Sequence, residues 1–246
     1  MKIFGLIGFP LGQSLSKILF TKKITEEAIN DCLFELYPID GISLFETLLK
    51  DHKDIAGLAV TIPYKELVIP YLTWIDEAVK EIKAVNCIVI NGSEIKGYNT
   101  DVIGFEKSFT PLLKSHHQKA LILGTGGASK AVQFVLNKIG MPFLTVSRKS
   151  SKQKGDIFYD DINEGLLNEF TVVINCTPIG MFPDIDDSPE IPFEYIGEKH
   201  LLYDLIYKPA ETKFLQKGQS AGASTKNGYE MFLIQAEENW KLWNAK

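Results

Sequence analysis

The pattern of this chain predicts an α/β protein built as two lobes, and three observations carry that prediction. Short apolar runs alternate with helix-like stretches along the 246 residues, a rhythm that calls for mainly parallel sheets flanked by helices. The length allows one large core or two modest ones. A helical pattern from Asp101 to Leu113 links one run of alternation to the next. With 45% apolar and 23% charged residues the composition is that of an ordinary globular protein. A net charge of −5 and a pI near 5.5 argue against broad binding to nucleic acid or an anionic membrane surface. No apolar run reaches the length of a membrane span. Cys32, Cys87 and Cys176 are odd in number and widely spaced, which suits reduced core thiols in a cytoplasmic protein.

In the first lobe, Ile3-Phe4-Gly5-Leu6-Ile7 is an apolar run closed by Gly8 and Pro10, a buried strand and its turn. Met1 to Leu11 carries one lysine, but the glycines and the proline interrupt it. It reads as strand and turn rather than as a secretory leader. Ser14 and Ser16 are N-cap candidates for a helix from Ser16 to Ala28. Leu33 to Pro38 reads as a second strand, Ser43 to Asp51 as a helix and Gly57 to Ile62 as a third strand. Pro63 and Pro70 bracket a broken helical stretch that runs on through Ala78. Cys87 to Ile90 and Ile95 to Tyr98 are strands joined by Asn91-Gly92, residues that tolerate the positive φ of a tight hairpin turn. The hairpin is expected at the edge of the sheet.

In the second lobe, Lys119-Ala120-Leu121-Ile122-Leu123 is a buried strand, and a helix runs from Ser129 to Ile139. Strands follow at Leu144 to Val146, Val172 to Asn175 and His200 to Leu205, and an amphipathic helix from Tyr229 to Trp243 comes last. The acidic run Asp184-Ile185-Asp186-Asp187 reads as a solvated loop. Between the first strand and its helix stands Gly124-Thr125-Gly126-Gly127. Gly124-x-Gly126-x-x-Ser129 departs from the dinucleotide-binding fingerprint by a serine, and by itself a turn would explain it as well. Its setting between strand and helix tips the balance. Gly126 lets the backbone approach a pyrophosphate, whose charge the amides at a helix N-terminus meet. A Walker-type loop needs Gly-Lys-Ser/Thr, which Ser129-Lys130-Ala131 does not supply.

Arg148 is the only arginine against 25 lysines. It follows Leu144-Thr145-Val146-Ser147, where the second strand of a dinucleotide-binding unit ends beside the adenosine ribose. An acidic residue there selects NAD, whereas a guanidinium offers a flat fork to a 2′-phosphate and a face to adenine. Lys149 and Lys152 add charge nearby. The expected cofactor is NADP. Asn175-Cys176-Thr177-Pro178-Ile179-Gly180-Met181 closes the next strand, either as a plain proline turn or as cofactor lining through Thr177.

Hydride delivery to a carbonyl needs a proton donor for the oxygen. His52, His116, His117 and His200 lie in apparent loops or at strand edges. His116-His117 has no third ligand nearby, so no metal is expected and a solvated loop is the reading. Lys65 ends the strand-terminal segment Thr61-Ile62-Pro63-Tyr64, but a single lysine among so many is by default a surface residue. Asp101 after Asn99-Thr100 has the look of an N-cap.

The order of these pieces changes that weighing. Ser14 and Ser16, Val60-Thr61-Ile62-Pro63-Tyr64-Lys65, Ala84-Val85-Asn86, Gly97-Tyr98-Asn99-Thr100-Asp101-Val102-Ile103-Gly104 and the Gly124 loop resemble shikimate dehydrogenases. So do the Asn175 to Met181 segment, Tyr203-Asp204-Leu205-Ile206-Tyr207-Lys208-Pro209 with Thr212, and Gly228-x-x-Met231 with Gln235. The likeness covers essentially the whole chain. It implies an α/β, two-lobed fold: a mainly parallel N-terminal substrate-binding domain over 1–101, joined by the C-terminal helix 229–246, and a Rossmann-type NADP-binding domain over 102–228, with the site in the cleft. It further implies NADPH-dependent, reversible reduction of 3-dehydroshikimate to shikimate in chorismate and aromatic amino-acid biosynthesis.

Carried over by motif, Ser14, Ser16 and Tyr207 would hold the substrate carboxylate. Thr61, Asn86, Asp101 and Gln235 would meet its hydroxyls, with Lys65 and Asp101 as the catalytic pair. Gly124, Gly126, Gly127, Ala128, Ser147, Arg148, Lys149, Thr177 and Gly228 would bind the cofactor. The chemistry agrees: serine hydroxyls at a helix start suit a carboxylate, and an ammonium and a carboxylate converging on one hydroxyl can shuttle its proton, which belongs to the pair. The implied partners are small molecules only, and the implied assembly is a monomer or a homodimer. Ser147-Arg148-Lys149 departs from the Asn-Arg-Thr common in the family, keeping the guanidinium and losing an amide and a hydroxyl. The rival readings are a quinate/shikimate dehydrogenase that uses NAD, and a non-catalytic sensor on the same fold, against which Lys65 and Asp101 together speak.

Overall fold

The computed structural model describes residues 1–12, 14–151 and 154–245. Lys152 and the last residue of the expected C-terminal helix, Lys246, lie outside the described residues. The chain divides into two compact units, Met1–Thr100 with Ala236–Lys246, and Asp101–Gln235.

The first unit contains β1 (Lys2–Gly8), α1 (Leu15–Glu26), β2 (Cys32–Pro38), α2 (Phe45–Asp51), β3 (Ile55–Val60), α3 (Tyr64–Leu67), β4 (Trp74–Ile75), α4 (Glu77–Ile82), β5 (Cys87–Asn91) and β6 (Glu94–Tyr98). They form one sheet in the order β2-β1-β3-β5-β6-β4. Only β5 runs against its neighbours, pairing antiparallel with β3 and β6. Central strand β1 is apolar on both faces because both are covered. Ile7 packs with Phe45, Leu58 and Val60, while Phe4 packs with Phe20, Phe34 and Trp243.

Gly57 shows how closely the C-terminal helix is fitted to this sheet. A Cβ there would come within 2.2 Å of Trp243 Cδ1, so the missing side chain is the seat of the indole. Trp243 stacks on Phe4 at 5.0 Å between centroids, and its Nε1 donates to the Ile88 carbonyl at 3.0 Å. Truncating a buried ring of this kind costs about 3–5 kcal/mol.

The β5–β6 hairpin is not the sheet edge, because β4 pairs in parallel beyond β6 through Trp74↔Lys96 and Ile75↔Gly97. The stretch read as broken helix is α3, a 3-10 turn over Ile69–Tyr71, this strand, and then α4. A two-residue strand has no periodicity to read. The Thr73 hydroxyl holds it in place by accepting from Ile95 N at 2.8 Å and donating to Ile95 O at 3.1 Å. Asp76 then caps α4 by accepting from Val79 N at 2.8 Å.

The second unit contains α5 (Asp101–Phe109), β7 (Ala120–Leu123), α6 (Gly127–Lys138), β8 (Phe143–Ser147), β9 (Ile157–Phe158), α7 (Glu164–Glu169), β10 (Val172–Asn175), β11 (Leu201–Asp204), α8 (Lys213–Ser220), β12 (Ser224–Lys226) and the start of α9 (Tyr229–Asn244). The sheet order is β12-β11-β10-β7-β8-β9, and every pairing is parallel. Counted from β7 as the first strand, this is the order 3-2-1-4-5-6 of the doubly wound Rossmann fold, whose switch point falls between the first and fourth strands. The sequence reading lacked α7, α8, β9 and β12, which are short or lie at the sheet edges. His117 is buried, not solvated: its Nδ1 accepts from Lys114 N at 3.0 Å, and desolvation lowers its pKa.

Candidate functional site

In the first unit the expected substrate residues collect at the carboxyl ends of the parallel strands, where ligands of such sheets bind. Thr61 follows β3; its N–H donates to Ile7 O at 3.0 Å and its carbonyl accepts from Tyr64 N at 2.9 Å. A Cβ on Gly8, at the end of β1, would meet Thr61 Cγ2 at 2.5 Å. Lys65 is the second residue of α3, and its carbonyl accepts from Val85 N at 2.7 Å. Asn86 stands next to that bond and bridges two strands, with its carbonyl accepting from Val60 N at 2.9 Å and its N–H donating to Tyr98 O at 3.1 Å. Thr61, Lys65 and Asn86 are therefore brought together. Ser14 is the N-cap residue of α1, yet its side chain makes no capping hydrogen bond, so its hydroxyl is not committed to the helix. Ser16 lies in the first turn of the same helix.

Asn86 is buried, and its amide is fixed by Thr100. Thr100 N donates to Asn86 Oδ1 at 2.7 Å, and Asn86 Nδ2 donates to Thr100 Oγ1 at 3.0 Å. The Thr100 hydroxyl donates in turn to Asn239 Oδ1 at 2.6 Å. Sequence reasoning missed both Thr100 as a support and Asn239 altogether, since nothing local marks a polar residue inside an apolar helix face.

In the second unit Asp101 begins α5. Gly104, one turn on, would place a Cβ 2.6 Å from Met231 O and 3.1 Å from Gln235 Cβ. The absent side chain lets α9 lie close and brings Gln235 to this end of α5. Gln235 Nε2 donates to Phe232 O at 3.0 Å, and Phe232 stacks on Tyr207 at 4.9 Å. Burial, and after it the Asp101 carboxylate, push the Tyr207 phenol above its ordinary pKa. Asp101, Tyr207 and Gln235 thus form a second group.

The glycine loop closes β7. Gly124 has φ +101°, a backbone that favours glycine, and a Cβ there would sit 2.9 Å from Thr177 Cγ2. The loop and the Thr177 turn therefore face each other across the switch point. Gly126 caps α6 and is exposed, and Gly127 and Ala128 form the first turn. Ser129, at the third small position, is buried and donates to Gly126 O at 2.6 Å.

Arg148 is exposed just past the end of β8. Lys149 pairs with Asp160 at 2.6 Å, with both side chains largely in water, so the pair is worth little. Ser147 points inward, where its Oγ accepts from Gly155 N at 2.8 Å. Thr177 Oγ1 donates to Asn175 Oδ1 at 2.7 Å. Gly228 is explained by packing: a Cβ there would lie 2.1 Å from Leu205 O.

A buried polar group that sequence reasoning did not assign underlies these turns. Asp204 has no exposed surface and accepts from Asn175 Nδ2 at 3.0 Å, Ile206 N at 3.0 Å and Thr212 Oγ1 at 2.6 Å. Burial raises its pKa to about 6 against the pull of those three donors. The available signal was a polar residue ending each of two apolar strands, Asn175 after Val172–Ile174 and Asp204 after Leu201–Tyr203.

A doubly wound unit with a glycine turn at its switch point, and a basic residue after its second strand, defines a dinucleotide-binding α/β protein of the oxidoreductase kind. Comparison with known proteins makes the class specific. Residues 6–88 match the family model for the shikimate dehydrogenase substrate binding domain. The chain is 35% identical to the NADP(+) shikimate dehydrogenase of Halothermothrix orenii, covering 99% of this chain and 91% of that protein. It is 36% identical to the one from Aquifex aeolicus, with the same coverage. A crystal structure of a shikimate dehydrogenase in complex with NADP+ superposes with a TM-score of 0.86 at 29% identity, covering 100% of this chain and 90% of that one. This chain belongs to the shikimate dehydrogenase family.

Proposed function

We infer that this protein catalyses the reversible, NADPH-dependent reduction of 3-dehydroshikimate to shikimate, a step of aromatic amino-acid biosynthesis. One observation carries the reading: NADP(+) shikimate dehydrogenases match over 99% of the chain, across both of its units. The unit matched by the substrate-domain model takes the cyclohexene acid, and the doubly wound unit takes NADP.

Gly126 supports the cofactor assignment. Its φ of −77° and ψ of −178° suit any residue, and a Cβ there would meet nothing within 4 Å. The fold does not require glycine at this position, but a pyrophosphate approaching the backbone at the start of α6 does. Arg148 would hold the 2′-phosphate.

The nicotinamide supplies or accepts the hydride. Lys65 and Asp101 give a proton to the new hydroxyl oxygen, or remove it in the reverse direction. Ser14 and Ser16 bind the carboxylate with help from the α1 dipole, joined by Tyr207, and Thr61, Asn86 and Gln235 orient the ring hydroxyls. Three unpaired cysteines suit a reducing compartment such as the cytoplasm.

The test is to incubate the purified protein with NADPH and 3-dehydroshikimate and follow nicotinamide absorbance. A folded protein that leaves the absorbance unchanged would refute the assignment.

A further inference from the structure

Asn239 lies on α9, one helical turn beyond Gln235, and only 1% of it is exposed. Its Oδ1 accepts from Thr100 Oγ1 at 2.6 Å, the shortest contact that hydroxyl makes. A hydroxyl has one proton to give. With that proton committed to Asn239, the Thr100 oxygen is left to accept, and Asn86 Nδ2 donates to it at 3.0 Å. The 3.2 Å approach of the same hydroxyl to Asn86 Oδ1 is then no hydrogen bond, since Oδ1 takes its proton from Thr100 N at 2.7 Å. The chain of donors runs one way, from Asn86 to Thr100 to Asn239.

Asn86, Thr100 and Asn239 are all buried. In such surroundings a wrongly turned amide would set donor against donor, and an unmet polar group is costly. Thr100 N sets which face of the Asn86 amide carries Oδ1. Asn239, by taking the Thr100 hydroxyl proton, leaves Thr100 Oγ1 to accept from Asn86 Nδ2 and so holds the amide from its other side.

We propose that Asn239 is a positioning residue for substrate recognition, orienting Asn86 toward a ring hydroxyl through Thr100 without touching the substrate. The proposal rests on the assignment of Asn86 to shikimate made above. It accounts for a fully buried amide on a helix whose neighbouring buried positions, Ala236 and Trp243, are apolar.

The test is steady-state kinetics of shikimate oxidation by the full-length protein and its Asn239→Ala variant. A lost buried hydrogen bond is worth about 1 kcal/mol, so kcat/KM for shikimate should fall roughly five- to tenfold, with the KM for NADP+ unchanged. The Asn86→Ala/Asn239→Ala double variant should be no worse than Asn86→Ala alone. Should Asn239→Ala fail to fold, Thr100→Val removes the relay at nearly the same shape and must give the same loss, while Thr100→Ser restores the wild-type constants.

Unchanged kcat/KM in Asn239→Ala or Thr100→Val, parallel losses for both substrates, or additive losses in the double variant would each overturn the proposal. If the wild-type protein does not turn over shikimate, the functional reading falls and this inference falls with it. An active wild type with an unaffected variant sinks this inference alone.

Discussion

Asn175 and Asp204 end neighbouring parallel strands, and the amide of the first donates to the carboxylate of the second at 3.0 Å with neither side chain exposed. Through Asn175 Oδ1 the pair holds the Thr177 turn. Through Ile206 N and Thr212 it holds the segment that carries Tyr207 and starts α8. A single buried carboxylate thus ties the turn proposed for the cofactor to the turn proposed for the substrate.

This carboxylate gives the first prediction, on pH. The folded-state pKa of Asp204 is about 6, above the ordinary 3.8. A raised acid binds more protons folded than unfolded between those values. Its contribution to stability is therefore present below pH 4 and lost as the pH rises through 6, by on the order of 2–3 kcal/mol. Asp204→Asn lacks this titration. In urea unfolding the variant should gain on the wild type between pH 4 and pH 7 by about that amount. A stability difference that is the same at both pH values would contradict the burial argument.

Gly126 separates the needs of the fold from those of the ligand. Since a Cβ there meets nothing in the protein, Gly126→Val should melt within a few degrees of the wild type. The side chain would nevertheless stand between the α6 amides and a pyrophosphate, and the KM for NADP+ should rise at least about tenfold, the equivalent of 1.4 kcal/mol. A normal KM would remove this loop from cofactor binding.

Arg148 is exposed beyond β8, so its removal should leave the fold intact. Arg148→Ala should raise the KM for NADPH far more than that for NADH, because only the former carries the 2′-phosphate. Equal changes in the two constants would dismiss 2′-phosphate recognition. The Lys149–Asp160 pair should soften the contribution of Lys149, making Lys149→Ala the milder of the two.

Lys65 carries the chemical claim. Lys65→Ala should lose several powers of ten in turnover while the KM for shikimate changes little, the pattern of a group that acts in the transition state. Near-normal turnover at saturating substrate would take Lys65 out of the mechanism.

What the sequence determined by itself is whatever lies within a few neighbouring residues. The apolar runs of β1, β3, β7 and β10, the β5–β6 hairpin, the glycine loop before α6 and Arg148 after β8 were all legible, because strand, turn and helix-start chemistry is local. The hairpin turn itself is Gly92-Ser93, one residue later than Asn91-Gly92, because Asn91 still pairs with Glu94. The tertiary structure decided the rest. Lys149 faces Asp160, Ser147 turns in to Gly155, Trp243 fills the space over Gly57, and β4 is a strand only because β6 is there to pair with it. Thr100 and Asn239 are 139 positions apart, and Asn175 and Asp204 are 29 apart. Periodicity reports which face of an element is buried. The partner a buried polar atom finds there is set by packing between distant segments, and no stretch of sequence contains both ends of that contact.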